Sequence, residues 1–303
     1  MILMKRLIEI IIVLTFLGCS SDDNLENTNK KLVQMTKTDP GGYVYLDHNY
    51  VYDSNERLIE NNDENGLILN SYTYNSANLP IQNIDYHYNT NDGIKWLKLK
   101  IIKNITYNSD NKISVMEILQ YHYNFDGSLD SQDSYTKNVT YGPNSMTSIH
   151  YSYYGIYKVE YELTNNLITG IKKTNVTTVE ADIVFAYDTE GNCISGDGPF
   201  LAEYLSPDDI DLTVTYGTEE KHPIFNAFFD INILYIYSFH SIRETLIHQQ
   251  GTKFPERVQW YNIPGDSNKD AFEYTFDQDG YLIKKVINKN SPYSHRILTY
   301  KWQ

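Results

Sequence analysis

From Tyr43 onward the chain alternates apolar or aromatic residues with polar ones over short runs broken by turn residues. A period of two puts every second side chain on one face of a strand, so these runs predict half-buried β-structure. In Ile94-Lys95-Trp96-Leu97-Lys98-Leu99-Lys100-Ile101 the alternation assigns Leu97, Leu99 and Ile101 to one face and Trp96, Lys98 and Lys100 to the other. The runs end in Asp or Asn with Gly or Asn close behind, as in Asp92-Gly93, Asp126-Gly127 and Asp279-Gly280. Those residues accept the positive φ of tight hairpin turns.

The runs also repeat a phrase: an aromatic or β-branched residue, any residue, Tyr, Asp or Asn, a short turn, then an apolar residue. Copies include Tyr72-Thr73-Tyr74-Asn75 with Leu79, Ile105-Thr106-Tyr107-Asn108 with Ile113, and Tyr274-Thr275-Phe276-Asp277 with Tyr281-Leu282. The aromatics at 52, 74, 88, 107, 123, 141 and 161 stand 14 to 22 residues apart, enough for two strands and a turn. Each copy therefore predicts one hairpin, and the expected fold is all-β: an antiparallel meander of repeated hairpins forming a broad curved sheet. Tyr outnumbers Phe 28 to 11, which suits a thin buried face whose hydroxyls find partners. Between 222 and 248 the rhythm breaks; Phe225, Phe228 and Phe229, then Phe239, Ile242 and Leu246, recur at helical spacing and predict one or two short helices capping the sheet.

The N-terminus reads as an address. Met4-Lys5-Arg6 is followed by an apolar run from Leu7 to Leu17, too short to cross a hydrocarbon core that needs about 20 helical residues, and then by Gly18-Cys19. Gly18-Cys19 resembles a lipobox, with lipid attached at Cys19 and the chain held to a membrane by that anchor. The expected organisation is a signal peptide over 1–18, lipidated Cys19 and a flexible tether over 19–42, and a repeat-built β domain over 43–303. Ser20-Ser21-Asp22-Asp23 resembles the acidic tether that directs lipoproteins of the Bacteroidota outward, so the expected location is the outer membrane, at the cell surface or the periplasmic face. The repeated phrase resembles, in degenerate form, the YD repeats of wall-associated and Rhs-type proteins. With the leader, the chain is similar to Tyr-rich Bacteroidota lipoproteins that carry such repeats, over roughly residues 43–195 and 272–300. That resemblance implies an all-β fold and transfers no catalytic residue.

Charge and cysteine content narrow the partners. A net charge of −14, with no basic run longer than a Lys pair, argues against nucleic acid. With Cys19 taken by lipid, Cys193 is the only other cysteine; it stands where the repeat expects an apolar residue and reads as a small buried hydrophobe. His240, Glu244 and His248 would share one helix face and are a weak metal-ligand set, read more simply as a solvated face. His87, His122 and His150 occupy equivalent slots before a Tyr and are expected to point outward. No nucleophile, phosphate-loop or metalloprotease motif is present, so neither a cofactor nor catalysis is expected. Trp96 with Lys98 and Lys100 is the candidate ligand-binding set, because an aromatic ring on a solvated strand face can stack on a sugar. The expected function is a binding or scaffolding module for a glycan or an envelope protein; a structural envelope component, and less favoured a hydrolase, are the alternatives.

Overall fold

The computed structural model describes residues 30–152, 155–165, 167–175, 178–200, 208–220, 252–259, 269–289 and 294–303. Among them the chain forms eighteen strands and no helix. They are β1 (Leu32–Thr38), β2 (Val44–Tyr52), β3 (Leu58–Asn62), β4 (Ile68–Tyr74), β5 (Pro80–Asn91), β6 (Ile94–Tyr107), β7 (Ile113–Tyr123), β8 (Leu129–Gly142) and β9 (Ser145–Ser152). Then follow β10 (Gly155–Thr164), β11 (Leu167–Asn175), β12 (Thr178–Tyr187), β13 (Cys193–Phe200), β14 (Asp208–Glu220), β15 (Lys253–Gln259), β16 (Lys269–Phe276), β17 (Leu282–Ile287) and β18 (Arg296–Trp302).

Each strand pairs antiparallel with the next, and the meander closes on itself. Met35 of β1 stands opposite His48 of β2 on one side and Tyr300 of β18 on the other. The expected broad curved sheet is thus an eighteen-stranded up-and-down barrel, in which none of the described strands is left as a free edge. The closing strand lies in the stretch read from sequence as tether. Its residues Gln34, Thr36, Lys37 and Thr38 dilute the alternation, so pairing on both sides holds it rather than its own pattern. The helices expected near 222–248, the leader and Cys19 lie outside the described residues.

Turns from even to odd strands gather at one rim with both ends of the barrel chain, where Lys31 and Gln303 exchange backbone hydrogen bonds of 2.7 and 2.9 Å. We call this the terminal rim; odd-to-even turns form the distal rim. The Asp or Asn of the repeated phrase builds the terminal turns. Oδ1 of Asp53, Asn75, Asn108, Asp188 and Asp277 each accepts from the backbone N–H two and four residues ahead, at 2.9–3.0 Å. The residue three places on has positive φ, from 58° at Asn111 to 82° at Gly280, which is why Gly or Asn recurs there.

The preceding tyrosines finish the job. At the terminal rim Tyr52, Tyr74 and Tyr107 donate their hydroxyls to the carbonyls of Leu32, Leu58 and Pro80, at 2.8, 2.7 and 2.7 Å. Tyr216 donates likewise to Cys193 O at 2.8 Å, and Trp302 Nε1 to Leu282 O at 2.7 Å. Each bond pins the end of an even strand to the start of the strand before it. Tyrosine is therefore used because its ring packs inward while its hydroxyl satisfies a rim carbonyl.

Cross-strand partners share a face, so register and burial separate the two walls. Strand β12 shows it cleanly: Ala181, Ile183 and Phe185 are buried, while Asp182, Val184 and Ala186 are exposed. Toward the terminal rim the inner wall is apolar, with Ile113, Met116, Ile168 and Cys193 fully buried. Cys193 behaves as the sequence implies, its thiol pushed up to about 12 by burial. Gly196 lies opposite Phe185, and a Cβ there would come within 2.7 Å of the Phe ring. The outer wall of β10–β12 carries ion pairs at mid-strand, Lys158 with Glu160 and Lys172 with Asp182. That face lacks the continuous apolar band by which a barrel meets lipid.

Candidate functional site

Toward the distal rim the inner wall turns polar. On β6 the inward sequence runs from buried Ile105 to Lys103, on β8 from Val139 to Lys137, and on β11 from Ile171 to Lys173 and Asn175.

Two networks occupy this half. The first crosses five strands: Asn61 Nδ2 lies 3.0 Å from His48 Nδ1 and donates to Asn70 Oδ1 at 3.1 Å, and Asn70 Nδ2 donates to Asp85 Oδ1 at 2.7 Å. Asp85 in turn takes an ion pair from Lys103. Burial lowers the Lys103 ammonium against the opposing pull of Asp85, and burial also lowers His48. Removing two charges from water is repaid only by such close partnering.

The second network is a row across four strands. Lys137 of β8 pairs with His150 of β9, His150 with Tyr157 of β10, and Tyr157 with Asn175 of β11. The His150 ring lies 4.3 Å from that of Tyr135 and 5.8 Å from that of Tyr157. Lys173 Nζ stands 5.4 Å from the centre of the Tyr157 ring and pairs with Glu180 at 2.5 Å. Lys137 is 8% exposed, and burial, then the Lys103 charge, push its ammonium down to about 8. Burial, then the Lys137 and Lys173 charges, push His150 down to about 4, so its imidazole is neutral near pH 7. Nε2 of His150 and Oδ1 of Asn175 are buried without a hydrogen-bond partner. Buried polar atoms are nearly always satisfied, so each of these atoms marks a position where a water or another polar group fits. Ring faces, an amide oxygen, a neutral imidazole and two ammonium groups together can hold a hydroxylated ring compound.

The residues singled out from sequence fall differently. Lys100 pairs with Tyr86 and Trp96 with Asn89, and between these pairs Lys98 is the extra residue of a β-bulge. Tyr86 and Asn89 are three apart on β5, hence on opposite faces, so the bulge separates Trp96 from Lys100 where plain alternation joined them. Lys100 reaches over the Tyr86 ring at 5.6 Å. Trp96 falls on the face of Asp85 and His87, at the distal mouth, and meets Phe125 edge-on at 5.9 Å. His87 and His122 flank Leu99 on the inner face rather than pointing outward, while His150 belongs to a different row. Asn83 and Asp85 on β5, and Ile118 and Gln120 on β7, are inward at the two preceding alternate positions, so these His fall in phase with them. His240, Glu244 and His248 lie outside the described residues. Among the described residues no three His, Cys, Asp or Glu side chains come together as a metal site. Lys137, Tyr157 and Asn175 were not singled out from sequence; the usable signal was polar residues in inward phase on strands that are otherwise apolar there.

No protein-family model matches the chain, and no curated protein matches it. Among solved structures, a porin-like protein from Bacteroides vulgatus is similar at 10% identity, covering 90% of this chain and 98% of that one, with a TM-score of 0.45. A porin-like protein from Bacteroides uniformis is similar at 12% identity, covering 73% and 96%, with a TM-score of 0.35. A chain in the TcdB2-TccC3-Cdc42 structure is similar at 11% identity over 88% of this chain but only 19% of its own length, with a TM-score of 0.27. Similarity at this level does not establish a shared function.

Proposed function

We propose that the chain is an exported, lipid-anchored β-barrel that acts as a binding module, and that the polar distal half of its inner wall takes a glycan. The observation that carries this is the row Lys137, His150, Tyr157 and Asn175, where aromatic faces and buried unsatisfied polar atoms sit side by side. Sugars present apolar ring faces and hydroxyls in that same combination. The anchor is Cys19, at the outer membrane. The module binds rather than catalyses and needs no cofactor. The acidic chain takes no nucleic acid. The test is a glycan array probed with the full chain in mild detergent. Saturable binding to related sugars, lost in Tyr157→Ala, supports the reading; a blank array with a folded sample overturns it.

A second reading, an envelope scaffold with protein partners, draws on the distal rim. Ile94, Phe125 and Leu129 there are 58%, 50% and 52% exposed, more apolar surface than a solvated hairpin needs. Cross-linking in whole cells that captures the same envelope protein through Phe125 favours it.

A further inference from the structure

We propose that the distal rim is a contact between two copies of this chain, set mouth to mouth, in which the tip of each β5–β8 segment seats on the β1–β2 turn of the other. The inference goes beyond both readings above and depends on neither.

The contour of the rim carries it. β3 and β4 are five and seven residues long, whereas β5 to β8 have 12, 14, 11 and 14. β4 pairs with β5 only from Pro80 to Asp85, and β9 with β8 only from Thr136 to Gly142. Residues 86–91 and 129–135 therefore run on past those neighbours, about 20 Å of strand, and β5–β8 stand above the rim as a blade. Across the short β3–β4 hairpin, residues 44–48 of β2 run past β3 in the same way and form a shoulder with β1.

Apolar surface is exposed at both places. Ile94, Phe125 and Leu129 at the blade tip, and Tyr43, Val44 and Tyr45 on the shoulder, are each about half exposed or more. Both clusters are held before any partner arrives. Tyr43 and Tyr45 meet edge-on at 5.0 Å, Arg296 lies 4.5 Å from the centre of the Tyr45 ring, and Phe125 meets Trp96 edge-on at 5.9 Å. Side chains already fixed cost little to immobilise, which suits the anchors of an interface. Half of what a large ring can bury is roughly 100 Å², so each cluster offers about 300 Å². One cluster alone falls far short of a stable interface. A two-fold axis through the β3–β4 dip brings each tip onto the other copy's shoulder and buries about 1,200 Å² in total, the lower bound of the standard size. In that pair the two polar half-walls face one chamber.

The experiment is sedimentation velocity of the full chain in density-matched mild detergent, from about 1 to 100 μM. A reversible dimer is expected. Phe125→Lys and Tyr43→Glu should each weaken it about a hundredfold or more, because one substitution enters both symmetric contacts, without lowering the unfolding midpoint. Mixing the two variants should restore the dimer, since one contact then pairs Lys with Glu and the other is native. A folding defect is not repaired that way. A wild type that stays monomeric overturns the proposal, as does a dimer that both variants retain. Variants that are monomeric alone and remain so when mixed overturn the pairing of tip with shoulder. The glycan array reads none of these outcomes, so the two proposals fail separately.

Discussion

Replacing Lys137 by Met should make the protein more stable. In the fold this ammonium is held near 8, against 10.5 for a lysine in water, a difference equivalent to roughly 3 kcal/mol against keeping it charged. The unfolded chain keeps its proton up to 10.5, whereas the native state releases it at about 8. Between those values the unfolded state binds more protons, so stability rises with pH; the penalty is complete below 8 and gone above 10.5. Met is unbranched and close to Lys in length, so it fills the same channel without a buried charge. Lys137→Met should therefore gain about 2–3 kcal/mol at pH 7, and the gain over wild type should shrink toward zero near pH 10.5. Urea unfolding followed by Trp fluorescence at both pH values measures it, with other groups' titration cancelling in the difference between variant and wild type. A loss of stability at pH 7, or a gain independent of pH, would refute the reasoning.

Asp85→Ala removes the counter-charge of Lys103 while leaving that ammonium buried, and should cost about 3 kcal/mol in chemical denaturation. Gly196→Ala drives a methyl toward the Phe185 ring and should cost about 1–3 kcal/mol by the same assay, with Phe185→Leu recovering part of it. Asp277→Ala strips the acceptor from two turn amides and should cost about 1 kcal/mol, read as a lowered unfolding midpoint. Trp96→Ala should weaken glycan binding without unfolding the protein; unchanged affinity removes Trp96 from the site.

Much of the fold was written in the phrase that repeats. Tyr74-Asn75 or Tyr107-Asn108 announces a turn because the amide captures two backbone N–H groups, and the tyrosine before it closes the rim. Hairpins and their antiparallel order follow from that. Closure does not, because a meander of hairpins reads the same whether its first and last strands meet or stay apart. The deciding strand, Leu32–Thr38, is polar enough to pass for tether, and its stability comes from two neighbours distant in sequence. The pairing of Trp96 with Lys98 and Lys100 failed for a related reason. A bulge adds one residue and inverts the phase beyond it, and nothing in Leu97-Lys98-Leu99 marks where the insertion falls.

The inner row was hidden by the rule that revealed the strands. Alternation says which residues share a face, but it gives Lys103 and Ile105, or Lys173 and Ile171, the same standing, and cannot say which end of a strand faces the apolar half of the barrel. Once register is known, the contrast becomes sharp. Two residues along the same strand and on the same wall, an inward position changes from a buried Ile or Val to a buried Lys on β6 and β8, and from buried Ile171 to half-buried Lys173 on β11. A barrel wall that needed only to hold together would continue with Val or Ile, whose burial stabilises by about 1.5–3 kcal/mol each, rather than bury ammonium groups that oppose folding.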